Sequence, residues 1–411
     1  MQKWQKNFII IFTGQVFSVL GSAAVQFSIV WWLTIKTESA IVLSIATIVA
    51  MLPQLVFGPF IGVIVDRINR KKIIIVADAL VAISSVILGL VFLYNANPDL
   101  SIIYIILFIR GIGSTFHGPA MQAAIPLLAP KDKLTKVGGI GSLVNSLSNM
   151  LGPVLGAVLM GLFSIASIML IDIFGALFAI FCLLFVKIPD VQQEVEKTHF
   201  IEDLKMGLGA IKANKVLMAV ILPIIFINIL SAPLGSLYPL LVKAHFAGDA
   251  FANSMVEVSF AFGILLSSLI LGIWGGMKKR FLMMSIAVMF FGLSNSLIGI
   301  LPASFWGFVW LVILSFISGL PVSFMNVPFM AYIQESIAGN MLGKVISLLL
   351  SVFAWSMPFG LIIAAPISEI IGVNSWLFLS GIVIVILSLW LRVRSKPYDE
   401  EVMMKVVDHN E

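Results

Sequence analysis

In this chain of 411 residues 60% are hydrophobic and only 11% are charged, with a mean hydropathy of +1.10. That excludes an ordinary water-soluble domain, where about a quarter of the residues carry charge. The formal net charge of +5 does not indicate a nucleic-acid partner, because the basic residues sit between apolar runs and form no dedicated patch. A single cysteine, Cys182, rules out an intrachain disulfide, and the four histidines, His117, His199, His245 and His409, lack metal-ligand spacing.

Twelve apolar runs follow one another at roughly 8–35, 39–65, 73–94, 101–121, 138–161, 167–187, 216–240, 254–276, 281–301, 305–330, 345–371 and 376–392. Each is near or above the roughly 20 residues a helix needs to cross a bilayer. Met1 to Lys6 is short and basic and leads into the first run without an Ala-x-Ala site, so that run is expected to be a retained helix. With the amino terminus inside, 22 of the 25 Lys and Arg fall on the cytoplasmic side, Lys36 and Lys243 fall outside, and Arg110 lies within a span. This asymmetry supports twelve helices with both ends cytoplasmic.

Span 1 carries Gln15, Ser18, Ser22 and Gln26 at steps of three, four and four, which puts all four on one helical face. That face is expected to line a cavity, although Ser18 and Ser22 also suit plain helix packing. Between spans 2 and 3, Gly62, Asp66, Arg67, Asn69, Arg70, Lys71 and Lys72 form a tight basic turn. Asn69 is expected to take a left-handed conformation there, and Gly62 to let another helix pass close.

Charges at membrane depth each need a partner, since a central one costs about 2.5–3.5 kcal/mol on insertion scales. Arg110 in span 4 is such a charge, and the intramembrane acids available to it are Asp78 in span 3 and Asp172 in span 6. Asp78 is assigned to the network of the basic loop and Asp172 to proton carriage. Span 5 holds Asn145, Asn149, Gly152, Pro153 and Gly156. Its proline removes a backbone donor and its glycines admit a close neighbour.

A polar connection from about Lys187 to Lys215 divides the chain near its middle, and Phe200 to Ile211 within it has the pattern of an amphipathic surface helix. The halves repeat one another weakly. Pro119-Ala120 followed by Leu134-Thr135-Lys136-Val137 returns as Pro328-Phe329 followed by Leu342-Gly343-Lys344-Val345, 208 or 209 residues on. The basic loop returns as Gly275-Gly276 with Lys278-Lys279-Arg280, without its acid. The expected organisation is a six-helix half at 1–190, a linker at 191–215, a second six-helix half at 216–395 and a tail at 396–411. Spans of the second half carry Asn228 and Asn326 but no central charge, whereas Glu257 and Glu369 lie near outer helix ends, where snorkelling into water is expected. A site lined by a few amides, hydroxyls and large apolar groups suits a bulky amphipathic molecule.

The loop from Gly62 through Asp66-Arg67 to Arg70-Lys71 resembles the signature loop between helices 2 and 3 of the major facilitator superfamily. Arg110 followed by Gly111 and Gly113 resembles the span 4 motif that this superfamily associates with proton coupling, and Gly152-Pro153 with Gly156 resembles its exporter motif. Gly14-Gln15, Phe108-Ile109-Arg110, Phe116-His117, Pro119-Ala120 and Ile171-Asp172 are similar to the macrolide-efflux branch. The resemblance implies an all-α, twelve-helix integral membrane transporter that needs no cofactor and acts as a monomer. It would exchange protons for macrolide-like or other amphipathic compounds across a bacterial cytoplasmic membrane. Asp172, Arg110 and Asp78 are its proton-coupling candidates; Gly62, Asp66, Arg67, Arg70 and Lys71 form its conformational latch. Gln15, Ser22, Gln26, Asn145, Asn149, Asn228 and Asn326 are candidates for the substrate cavity. An exporter of a lipid, siderophore or other metabolite is the nearest alternative. A membrane enzyme or non-transporting sensor is disfavoured, because neither a nucleophile elbow nor a Walker loop is present.

Overall fold

The computed structural model describes residues 3–95, 97–130, 133–186, 188–189 and 200–408. Backbone polar groups have no water to bond in lipid, so spanning segments close their hydrogen bonds internally, and helices do this within one segment. The described chain accordingly forms α1 (Lys3–Thr37), α2 (Ala40–Arg67), α3 (Arg70–Tyr94), α4 (Leu100–Leu128), α5 (Leu134–Leu162) and α6 (Ile165–Leu184). There follow α7 (Phe200–Ala213), α8 (Lys215–Ser231), α9 (Pro233–Leu240), a π-helical turn at Leu241–His245, α10 (Ala250–Trp274) and α11 (Arg280–Gly299). The series ends with α12 (Phe305–Ser336), α13 (Gly339–Ile371) and α14 (Val373–Asp408). Among the described residues twelve segments are long and apolar enough to cross a membrane, as the sequence predicts.

Two compact units emerge. The first comprises Met1–Thr37 and Ile45–Lys197; the second comprises Thr198–Glu411 together with Glu38–Ser44. In the first, α1 packs on α5 and α6, and α3 packs on α4 and α6. In the second, α10 packs on α12 and α11 on both α12 and α14, while α7 lies against α13. Large apolar side chains such as Phe174, Ile273 and Trp306 stay exposed. In lipid this surface has no drive to be buried, so helix association rests on close packing at small residues. Gly263 and Gly319 face each other across α10 and α12, where a Cβ on either would collide with backbone of the other helix.

Several local expectations change. Asn69 is not left-handed: with φ −57 and ψ 116 it is the N-cap of α3, accepting from the Lys72 N–H at 3.2 Å. Capping satisfies a donor that the helix start would otherwise orphan, and this outweighs the turn preference. Gly62 is exposed, and no described atom lies within 4 Å of a Cβ built on it, so it accommodates no close helix here. The run at 216–240 is broken at Pro233, which has no N–H to continue α8, and it extends through the π turn to His245. Glu369 accepts from the Ala40 N–H at 2.8 Å and the Ser39 hydroxyl at 3.2 Å within the second unit, so this acid serves the start of α2. Glu257 likewise takes a hydrogen bond, from the Asn253 amide at 2.7 Å. Where the sequence gives the second basic loop no acid, Asp399 supplies one from within α14. It accepts from Phe281 and Leu282 N–H at the start of α11 and pairs with Arg392 at 2.7 Å. Outside the membrane, Asp99 caps α4, and the Ser101 N–H bonded to it holds its carboxyl below the usual carboxylate range. The linker residues 190–199, His199, His409 and the side chain of Asp66 lie outside the described residues.

Gly319→Leu is expected to lower the melting temperature in detergent markedly, overpacking of this kind costing about 1–3 kcal/mol or more. Gly161→Ala, at an open position, should cause no loss. Thermal size-exclusion profiles of the two variants check this.

Candidate substrate and proton site

The first unit carries its buried polar groups at two levels along the helix bundle. At the level farther from the 67–72 connection, α4 contributes Arg110, 6% exposed, and α6 contributes Asp172, fully buried. Arg110 Nη1 is ion-paired to Asp172 Oδ2. The same oxygen accepts from Ser85 of α3 at 2.7 Å, and Oδ1 accepts from Ser22 of α1 at 2.5 Å. Arg110 also donates to the Ser85 hydroxyl at 2.5 Å. One carboxylate thus gathers donors from α1, α3 and α4, which is what a buried ion pair requires if its desolvation is to be offset.

The second level lies seven residues away on three of these helices: Gln15 from Ser22, Asp78 from Ser85 and His117 from Arg110. Seven residues are two turns, about 10 Å along a helix, and α1 and α3 run opposite to α4. The step therefore leads to the same new depth on each. Asp78 Oδ1 lies 3.4 Å from His117 Nε2 and 3.5 Å from the Ser18 hydroxyl. Asp78 thus lies against His117 and Ser18, where the sequence assigned it to the network of the basic loop. Gln15 stands beside this carboxyl without closing a hydrogen bond to it. Neither Gln15 amide atom, nor Asp78 Oδ2, nor His117 Nε2 has a hydrogen-bond partner among the described residues. Beside these groups lies a cavity of about 510 Å³ lined by Phe12, Gln15, His117, Met121, Gln122 and Asn145 among others.

The remaining predicted residues separate. Gln26 is half-buried farther along α1, and Asn149 is exposed one turn beyond Asn145 on α5. In the second unit the Asn228 and Asn326 amides each donate to a carbonyl of their own helix, Ile224 at 3.0 Å and Val322 at 3.1 Å. Gly152 and Gly156 press α5 onto α1, where added Cβ atoms would meet Ala23 at 2.5 Å and the Ala24 carbonyl at 2.7 Å. Pro153 lies between them inside α5. Of the basic connection, Arg67 is exposed, Arg70 is buried at the start of α3, and Lys71 donates to the Val186 carbonyl at 2.9 Å and to that of Leu184. Lys71 thereby serves the terminal carbonyls of α6, where a cation is favoured. Sequence reasoning missed Ser85 and the pairing of His117 with Asp78. The signal was the seven-residue step that Asp78 and Ser85 share with Arg110 and His117.

Twelve apolar helices among the described residues, with paired charges and a cavity inside the first unit, are the features of a polytopic membrane transporter. The family model of the Major Facilitator Superfamily matches residues 11–247 and 228–403, and the chain belongs to this superfamily. It is 38% identical over 388 residues to Macrolide efflux protein A of Streptococcus pyogenes, covering 94% of this chain and 95% of that one. It is also 38% identical to Macrolide efflux protein A of Enterococcus faecalis, covering 79% of this chain and 99% of that one. Among solved structures, the nucleoside transporter NupG superposes with a TM-score of 0.71 at 13% identity, covering 94% of this chain and 99% of that chain. The protein is therefore a multi-pass membrane transporter, in a bacterium resident in the cell membrane, and not an enzyme.

Removing one partner of a buried ion pair leaves the other charge unmatched, at about 3–5 kcal/mol. Arg110→Gln and Asp172→Asn should each lower stability in detergent, and the double variant should lose less than the sum of the two. Additive losses in an unfolding titration would show that the two side chains do not depend on each other.

Proposed function

We propose that this transporter exports macrolide-like, amphipathic compounds in exchange for protons by alternating access, working as a monomer. Its halves would be residues 1–190 and 216–395, joined by the 191–215 linker and followed by the 396–411 tail, with both ends in the cytoplasm. The observation that carries this reading is the pair of charged clusters inside the first unit, one of them beside the cavity. A charge retained at membrane depth despite its cost is expected of a proton or substrate path. The full-length likeness to macrolide efflux proteins supplies the substrate class, and the cavity's mix of amides and large apolar side chains suits it.

Within this reading Asp172, Arg110 and Asp78 are the candidates for proton coupling. Gly152, Pro153 and Gly156 hold α5 on α1 so that the helices move together. The connection with Gly62, Asp66, Arg67, Arg70 and Lys71 latches the cytoplasmic side when the carrier opens outward.

Expression in a pump-deficient bacterium should raise macrolide resistance severalfold, and an uncoupler should abolish the increase. Asp66→Asn and Arg70→Ala should insert normally yet lose the resistance. Unchanged macrolide susceptibility, with efflux of a siderophore or lipid instead, would move the assignment to an exporter of an endogenous metabolite.

A further inference from the structure

We infer that the exchanged proton is carried by His117, paired with Asp78, and not by Asp172. This rests on the antiport reading above and names the site within it. The two clusters differ in how completely their polar groups are matched. Both oxygens of Asp172 are engaged, by Ser22, Ser85 and an arginine that stays protonated. Protonating that carboxylate would take from Arg110 the one anion it pairs with among the described residues.

The Asp78 cluster is open by contrast. One Asp78 oxygen and both Gln15 amide atoms are buried without a hydrogen-bond partner among the described residues. His117 Nε2 stands 3.4 Å from Asp78 Oδ1, and the His117 ring, with Gln15, forms part of the cavity wall. Buried polar atoms are seldom left unmatched, and each exception calls for an explanation, a role in the chemistry of the site among them. Histidine is the side chain whose ordinary titration falls between about pH 5 and 8. With a proton on Nε2, the ring donates to Asp78 and neutralises it.

With the proton gone, the carboxylate loses that counter-charge, and none of its other neighbours among the described residues supplies one. On α1 it meets Gln15 and Ser18, both uncharged; on α4 Arg110 is committed to Asp172; on α6 the nearest charge is Asp172 itself, which repels it. From α5, Asn145 reaches the same cavity and is neutral. His117 is therefore the group through which a proton changes the charge balance of the cavity wall.

The test uses the purified full chain in proteoliposomes with an imposed pH gradient and a radiolabelled macrolide. Wild type should accumulate the drug with a pH-dependent rate. His117→Gln should lose at least about tenfold of the gradient-driven accumulation (about 1.4 kcal/mol for each tenfold), and its residual rate should be flat between about pH 5 and 8. Wild-type accumulation and pH profile in His117→Gln would overturn the inference. Failure of wild type itself to respond to the gradient would overturn the antiport reading instead. A second measurement needs no transport: the imidazole nitrogen signal in detergent that disappears in His117→Gln should titrate in wild type. Asp78→Asn should also displace that signal, because the carboxyl lies 3.4 Å from His117 Nε2. A His117 signal that does not titrate, or that ignores Asp78→Asn, rejects the pair as the proton site.

Discussion

A guanidinium enclosed by apolar helices must find an anion, and much of the first unit is arranged around that requirement. Arg110 finds Asp172, but an ion pair alone would not offset its desolvation. The remaining lone pairs are met by Ser22 and Ser85, so four helices are tied to one carboxylate. Small residues make this reach possible: Gly113 on α4 brings α3 close, and Gly175 on α6 brings α1 close. The polar cluster fixes the depth at which the helices meet, while the glycines fix how closely.

Two turns farther along, the same helices present a second cluster with the opposite character. It is less completely matched, it borders a cavity, and its basic group is a histidine. A saturated cluster beside an unsaturated one is a division of roles: the first holds the register of the bundle, and the second can exchange partners. The second unit lacks a matching column among its described residues. Its charges gather at helix ends, as in Asp399 at the start of α11 and Arg280 paired with Glu335 at 2.7 Å, where they satisfy helix termini or bind neighbouring helices together.

Much of this was legible in the sequence, because the bilayer imposes strong rules. The number of helices follows from the length of apolar runs. The need for an acid near Arg110 follows from burial cost, although one chain of residues could not decide between Asp78 and Asp172. That choice depends on helix rotation, and so does the presence of Ser85. Gln15 and Asn145 were readable as cavity residues because amides are costly toward lipid. Asn228 and Asn326 carried the same signal; like Asn145, each bonds the carbonyl four residues back on its own helix, but neither lines that cavity. The break at Pro233 and the cap at Asn69 were misread for a related reason: local preferences allow two outcomes, and the orphan groups at helix ends select between them.

The central claim is that charges buried in the first unit link proton movement to drug movement. Its most direct test is the internal pH of proteoliposomes that hold the full chain and are preloaded with a macrolide. They are diluted into drug-free buffer at equal pH, alongside protein-free vesicles carrying the same drug load. Antiport predicts that drug leaves as protons enter, so the lumen acidifies more than in the protein-free vesicles. Protein-dependent drug exit with no added acidification, or with alkalinisation, would contradict it.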